Sequence, residues 1–135
     1  MNSPQAILCV DDEPSILRAL QQQIMRSFSD TYILEIAESG EEALEIIEDL
    51  EERRVNLALV ITDEMMPGMK GHTLIERVLT ASDRIPCILL TGYAQSETID
   101  QISGIGPATL VSKPWDAEEL MNLVRSAIEG ARTNS

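Results

Sequence analysis

The chain has 135 residues, of which 44% are hydrophobic and 24% are charged, and its formal net charge at pH 7 is −13. This length fits one domain, and the composition is that of a globular protein rather than a disordered one. The excess of acidic residues excludes nucleic-acid binding by this domain, because neutralising phosphates requires clustered lysine and arginine side chains.

The chain begins with MNSPQAILCV, which ends in an apolar run over 6–10 that predicts a first strand. This segment has no basic region and no long apolar stretch, so we expect neither a secretion signal nor a membrane span, and a cytoplasmic location. Cys9 lies in this run and Cys87 in a later one. Both are expected to be small buried side chains, because their spacing does not suit a metal site.

Five short apolar runs predict strands. Four of them are rich in isoleucine, leucine and valine, as buried parallel strands are, whereas YILEIA partly alternates between apolar and polar residues, as an edge strand would. The runs are 6–10, 32–37, 57–62, 85–91 and 108–112.

Helical spacing of apolar residues appears between and after these runs. Pro14 lies near the first turn of the first helix, and Asp116 is the expected N-cap of the last, over 116–130. The residues expected to face inward are Leu17, Leu20, Ile24 and Phe28; Ala43, Leu44, Ile47 and Leu50; Leu74, Ile75, Val78 and Leu79; and Leu120, Leu123, Val124 and Ile128. A weaker helix is predicted over 95–103.

The alternation of strand and helix predicts an α/β fold, in which a doubly wound parallel sheet has helices on both faces. No change in composition divides the chain, so we expect a single domain over 1–130. Residues 131–135 are polar and are expected to be a tail or the start of a linker.

Polar residues follow the carboxyl ends of four predicted strands, and in a doubly wound sheet these ends meet at one edge, where ligands bind. They are Asp11 and Asp12 after the first strand, Asp63 after the third, Thr91 at the end of the fourth, and Ser112 and Lys113 at the end of the fifth. Three carboxylates, a hydroxyl and an ammonium are therefore expected to converge.

Such a cluster needs positive charge, because two unit negative charges about 4 Å apart cost roughly 4 kcal/mol at an effective dielectric near 20. Lys113 supplies one positive charge, and Mg²⁺ suits a site made of carboxylate and carbonyl oxygens. Asp63 stands alone on a middle strand, which makes it the candidate nucleophile towards phosphorus. Thr91 and Lys113 are placed to bind phosphoryl oxygens. Taken singly, Asp12 could instead cap a helix, and Asp63 and Thr91 could be turn residues.

The ordered set of Asp11-Asp12, Asp63 followed by EMMPGMKG, then LLTGYA and SKPWD, resembles the receiver domain of bacterial two-component response regulators, over residues 6 to about 130. The resemblance implies a flavodoxin-like (βα)5 fold with strand order 2-1-3-4-5. It implies that Asp63 accepts a phosphoryl group from a histidine kinase or a histidine phosphotransfer protein.

The same resemblance implies the other roles in the site. Asp12, Asp63 and the backbone carbonyl of Met65 would bind Mg²⁺ directly, and Asp11 would act mostly through water. Thr91 and Lys113 would hold the phosphoryl oxygens, and the bond from Lys113 to Pro114 would be cis. Pro67 and Gly71 would shape the loop after Asp63.

The implied output is a population shift at the surface formed by the fourth predicted helix, the fifth strand and the last helix, read by a downstream output domain or effector. Similar domains have tyrosine or phenylalanine where this chain has Leu110. We therefore predict that signalling runs through Thr91 and the loop 92–98. Met65 and Tyr93 are bulky and flank the expected path of water, which predicts slow self-dephosphorylation.

Other functions fit the sequence less well. Phosphatases of the haloacid-dehalogenase type need a second acid two residues after the nucleophile, where this chain has Met65. We expect catalysis of its own phosphorylation and dephosphorylation but no turnover of external substrates. The acidic DDEPS after the first strand would repel the phosphate of a flavodoxin cofactor. A receiver-like module that binds partners without phosphorylation remains the alternative. His72 is expected to be a surface residue.

Overall fold

A computed structural model describes residues 4–28, 31–81, 84–92 and 108–133 of the chain. Five strands form one parallel sheet in the order β2-β1-β3-β4-β5, which confirms the predicted doubly wound topology. The strands are β1 (Gln5–Val10), β2 (Ile33–Ala37), β3 (Asn56–Asp63), β4 (Cys87–Thr91) and β5 (Ala108–Ser112). As predicted, β2 is an edge strand, and its side chains are the least buried after those of β5.

Four helices lie in the described part of the chain. They are α1 (Pro14–Phe28), α2 (Gly40–Glu52), α3 (Gly71–Ala81) and α4 (Ala117–Thr133). The predicted helix over 95–103 lies outside the described residues. No helix within the described ranges is long and apolar enough to cross a membrane.

The core has two main layers, one on each face of the sheet. Side chains of α1 and α4 pack on Ile7 and Cys9 of β1, whereas side chains of α2 and α3 pack on Leu8 and Val10 of the same strand. Successive residues of a strand point to opposite faces, so one apolar run supplies both layers. The buried strands therefore form a rigid base whose carboxyl ends carry the polar residues.

Local signals fix the start of three helices. Pro14 is the first residue of α1, where proline is compatible with helix. Ser39 caps α2 by accepting a hydrogen bond from the backbone N–H of Glu42 at 3.0 Å. Asp116 caps α4 by accepting from the N–H of Glu119 at 2.9 Å, as predicted.

Three predicted details were wrong. Leu123 is 38% exposed, and Met121 is buried in its place. At 100° per residue, Leu120, Met121, Val124 and Ile128 share one face of α4, and Leu123 lies outside it. The same helix continues to Thr133 rather than ending at 130. Strand β4 begins at Cys87 rather than 85, because Pro86 has no N–H to donate to a sheet.

Candidate functional site

The sheet register brings four strand ends to one edge. Val10 is paired with Thr62, Asp63 with Leu90, and Thr91 with Ser112. Hydrogen bonds continue beyond the ladder, from Glu64 N to Leu90 O at 2.9 Å and from Lys113 N to Thr91 O at 2.8 Å. The backbone that carries the functional side chains is therefore held by the sheet rather than by free loops.

Three carboxylates meet at this edge. One oxygen each from Asp11, Asp12 and Asp63 lies within 4.8 Å of the others. Asp11 is fully buried and Asp63 is nearly so, whereas Asp12 is exposed. Asp11 accepts a hydrogen bond from the backbone N–H of Glu13 at 2.9 Å, which fixes one of its oxygens. The predicted convergence of these residues is confirmed.

Lys113 reaches into the cluster from the end of β5. Its Nζ atom lies 2.8 Å from Asp63 Oδ1 and 3.4 Å from Asp11 Oδ2. The peptide bond between Lys113 and Pro114 is cis, as the family resemblance implied. Thr91 is buried at the end of the neighbouring strand β4.

The electrostatics of the site reflect burial and an excess of negative charge. Burial raises the pKa of Asp63, and the hydrogen bond and charge of Lys113 oppose this shift without cancelling it. Burial also raises the pKa of Asp11, and the charge of Asp63 adds to the rise. For Lys113, burial lowers the pKa, but its hydrogen bond to Asp63 and the charges of both acids raise it by more. The net effect is a raised pKa for Lys113. All three groups hold their protons more tightly than usual, so the site favours added positive charge.

The residues fit a small divalent cation. All the donors are hard oxygen atoms, which Mg²⁺ prefers at about 2.1 Å in octahedral geometry. Ligands around such an ion are roughly 3–4 Å apart. Carboxylate oxygens that all lie within 4.8 Å of one another are therefore close enough to surround one ion, directly or through water. When all three carboxylates are ionised, the single lysine leaves two negative charges for the ion to balance.

The loop after Asp63 turns sharply away from the sheet. Gly68 follows Pro67 and has a φ of +79°, a conformation that favours glycine. A Cβ atom on Gly71 would collide with the backbone oxygen of Asp63, so only glycine allows this close approach. Met65 lies on the loop with its side chain 63% exposed. The predicted shaping roles of Pro67 and Gly71 agree with this geometry.

The sequence did not predict one partly buried pair beside the site. Glu64 follows Asp63 directly and binds His72, with 2.7 Å between Glu64 Oε2 and His72 Nδ1. The side chain of His72 is 18% exposed, so it is partly buried rather than fully exposed at the surface. One sequence feature could have indicated this contact. Lys70 directly precedes α3, and because a lysine side chain cannot accept a hydrogen bond, the helix needs a capping residue from elsewhere in the chain.

Of the residues considered for signalling, Leu110 can be described and Tyr93 cannot. Leu110 lies on β5, partly buried against the α2 and α3 layer of the core. It has no aromatic ring to rotate. Tyr93 and residues 93–98 lie outside the described residues, so the expected role of that loop stays a prediction.

Comparison with known proteins identifies the family of this chain. The family model of the response regulator receiver domain matches residues 7–125. The chain is 36% identical over 132 residues to the probable transcriptional regulator ycf27 of Porphyra purpurea, covering 96% of this chain and 50% of the relative. It is 33% identical over 126 residues to the DNA-binding response regulator MtrA of Mycolicibacterium smegmatis, covering 92% and 50%. The chain thus spans about half the length of these relatives.

Among solved structures, the signal receiver domain of an HD domain-containing protein from Pseudomonas fluorescens is similar, with a TM-score of 0.84 and 31% identity, covering 98% of this chain and 99% of that chain. Its fold therefore matches over nearly the whole length of both chains. Together with the family match over residues 7–125, this similarity shows that the chain belongs to the response regulator receiver domain family.

Proposed function

We propose that this receiver domain is a phosphorylation-dependent switch in which Asp63 accepts a phosphoryl group. The observation that carries the proposal is the contact of 2.8 Å between Lys113 Nζ and Asp63 Oδ1, within a cluster of three carboxylates. A buried carboxylate with a lysine at its oxygen and acidic neighbours is costly for stability. Such an arrangement is expected at a functional site, where the charged side chains take part in a reaction.

The transfer would be a displacement at phosphorus. A carboxylate oxygen of Asp63 forms the new P–O bond, while the P–N bond of a donor phosphohistidine breaks and its imidazole nitrogen keeps the electron pair. Lys113 is placed to neutralise charge on the phosphoryl oxygens, and Thr91 supplies a hydroxyl at the end of the adjacent strand. The backbone of the nucleophile is fixed by its strand.

Mg²⁺ would neutralise the carboxylate cluster and bind a phosphoryl oxygen, which lowers the barrier to attack by an anionic nucleophile. Asp12, Asp63 and the backbone carbonyl of Met65 are the proposed direct ligands, and Asp11 is proposed to act mostly through water. Asp11 suits an indirect role because one of its oxygens is held by the N–H of Glu13 and the other lies 3.4 Å from Lys113.

The partners follow from the family. By analogy with related response regulators, we propose a histidine kinase or a histidine phosphotransfer protein as donor, and a cytoplasmic location. MtrA is by name a DNA-binding response regulator, and ycf27 a probable transcriptional regulator; an output domain or separate effector is proposed for this chain. The effector surface would include β5 and α4.

A receiver-like module that binds partners without phosphorylation is the second candidate. The complete set of Asp11, Asp12, Asp63, Thr91 and Lys113 favours the phosphorylated switch.

The deciding experiment is incubation with acetyl phosphate and Mg²⁺, followed by intact-mass measurement of the wild type and Asp63→Asn. We expect the wild type to gain one phosphoryl group, which hydroxylamine removes, and the variant to gain none. Omitting Mg²⁺ should abolish labelling. Equal labelling of both proteins would reject Asp63 as the acceptor, and no labelling of the wild type would favour the partner-binding module.

A further inference from the structure

Glu64 is a buried acid with all its polar groups engaged. Its side chain is 6% exposed. The backbone N–H donates to Leu90 O at 2.9 Å, and the backbone oxygen accepts from Gly71 N at 3.1 Å. The side-chain oxygens accept from His72, Oε1 from the backbone N–H at 2.8 Å and Oε2 from the ring at 2.7 Å. When the Glu64 carboxylate is ionised it only accepts hydrogen bonds, and the ring then donates from Nδ1.

This pairing caps a helix that has no local cap. His72 is the second residue of α3, and its N–H is one of the donors that a helix start leaves without an intrahelical partner. Lys70 precedes the helix and its side chain cannot accept a hydrogen bond, and the first turn contains no acidic residue. Glu64 supplies both the acceptor and the negative charge from eight residues earlier.

The pair also closes the loop that carries two of the three proposed direct cation ligands. Glu64 lies between Asp63 and Met65 in the chain, and His72 lies at the far end of the same loop. Gly71 is packed against the backbone of Asp63 so tightly that no Cβ would fit. Loss of the Glu64–His72 contact would therefore be expected to shift the backbone of Asp63 and Met65.

We propose that Glu64 and His72 form a positioning pair that holds the loop 63–72 in the geometry required for divalent-cation binding. This inference rests on the proposed function, because the cation is the one that Asp63 would use. Neither residue is proposed to touch the ion or the phosphoryl group. Partners that orient metal ligands typically change metal affinity by roughly 10- to 100-fold when they are removed.

The test measures Mg²⁺ affinity by calorimetry for the wild type, Glu64→Ala, Glu64→Gln and His72→Ala, with urea unfolding of each protein alongside. Glutamine keeps the shape, can accept from the N–H of His72 and can donate to its ring, so it tests hydrogen bonding apart from charge. Glu76→Ala is the matched control, because it removes an exposed acid from the same helix.

We expect Glu64→Ala to weaken Mg²⁺ binding by roughly tenfold or more, and His72→Ala to weaken it by a smaller factor. Glu64→Gln should stay within about threefold of the wild type, and Glu76→Ala should match it. If Glu64→Ala is less stable but binds Mg²⁺ like the wild type, the pair is only a helix cap and the inference is wrong. Equal losses in Glu64→Ala and Glu64→Gln would also overturn it, since charge alone would then explain them.

If Glu64→Ala does not fold, His72→Ala decides, because it keeps the backbone bond to Oε1 and loses only the ring contact. Wild-type affinity in His72→Ala would then reject the inference. A wild type that neither binds Mg²⁺ nor becomes labelled at Asp63 would instead reject the proposed function itself. The two failures are therefore distinguishable.

Discussion

The Nζ atom of Lys113 lies 2.8 Å from Oδ1 of Asp63, so the lysine already contacts the carboxylate that is proposed to attack phosphorus. The two residues come from the ends of β5 and β3, which are separated in the sheet by β4. The contact therefore spans the carboxyl end of β4, where Thr91 is the last residue. It holds the ammonium where charge would develop on a phosphoryl group bound to Asp63.

Lys113→Ala should slow the labelling of Asp63 by roughly 100-fold or more, the cost typical of losing one group that stabilises developing charge. Its affinity for Mg²⁺ should not fall, because the ammonium no longer competes for the same carboxylates. Labelling rates by intact mass and Mg²⁺ calorimetry would measure these effects. Lys70→Ala is the control, since Lys70 is exposed and its Nζ donates a weak hydrogen bond to Met65 Sδ at 3.8 Å, away from the three carboxylates. Wild-type labelling of Lys113→Ala would contradict the assigned role.

Asp63→Asn should stabilise the cation-free protein at pH 7 by roughly 1–2 kcal/mol, because it removes a buried charge from a crowded acidic site. Burial raises the pKa of Asp63 in the folded state. A carboxyl group with a raised pKa gives stability below its unfolded pKa, and that stability is lost as the pH rises through the folded pKa. The advantage of the variant should therefore shrink as the pH falls from 7 towards about 4, the usual pKa of aspartate.

Urea unfolding in the presence of a chelator, at several pH values, would measure this difference. Glu48→Gln is a suitable control, because Glu48 is exposed on α2 and its replacement should change the free energy of unfolding little at any pH. A difference between wild type and Asp63→Asn that did not vary with pH would contradict the assignment of the shift to Asp63.

The main features of the site could be predicted because strand ends are encoded locally. An apolar run followed by an acid gives both the strand and the residue at its end, as at Val10-Asp11 and Thr62-Asp63. Parallel topology then brings these ends to one edge without any further information. The strand order came from family resemblance, since the apolar runs alone do not specify which strands are neighbours.

What the sequence did not predict depends on tertiary structure. The Glu64–His72 contact requires the turn at Gly68, which brings residue 72 back beside residue 64, eight positions earlier in the chain. The choice between Leu123 and Met121 depends on how α4 is rotated against the sheet, and both residues are apolar. Neither outcome follows from the composition of a short window.

Gly71→Ala should destabilise the protein by roughly 2–3 kcal/mol, because its Cβ would overlap the backbone oxygen of Asp63 and lie 2.7 Å from Leu89 Cδ1. The backbone of Asp63 would have to move, so labelling of Asp63 should slow as well. Urea unfolding and labelling rates would measure the two effects.

Gly130→Ala is the matched control for that substitution. Gly130 lies in α4, and a Cβ atom added there would have nothing within 4 Å, so alanine should stabilise the helix by about 0.5–1 kcal/mol. If both glycine variants changed stability by the same amount and in the same direction, close packing beneath Asp63 would not explain the requirement for Gly71.

Self-dephosphorylation should be slow, with Met65 as one cause. Met65 follows Asp63 by two residues, and its side chain is 63% exposed at the edge of the site. A thioether neither orients nor deprotonates water, and its bulk would hinder the approach of water to the phosphoryl group. Met65→Ala keeps the backbone carbonyl proposed to bind Mg²⁺, so cation affinity should stay near that of the wild type. The phosphoryl group should be lost about threefold faster, which corresponds to a barrier change of about 0.7 kcal/mol.

The measurement is the loss of the phosphoryl group over time by intact mass, after the small phosphodonor is removed. Met25→Ala controls for the loss of an exposed methionine, because Met25 lies on α1 and is 52% exposed. A wild-type half-life of seconds, or identical decay in Met65→Ala and the wild type, would show that Met65 does not limit access of water. Unchanged Mg²⁺ affinity is required for the comparison, since a weaker cation site would alter dephosphorylation for another reason.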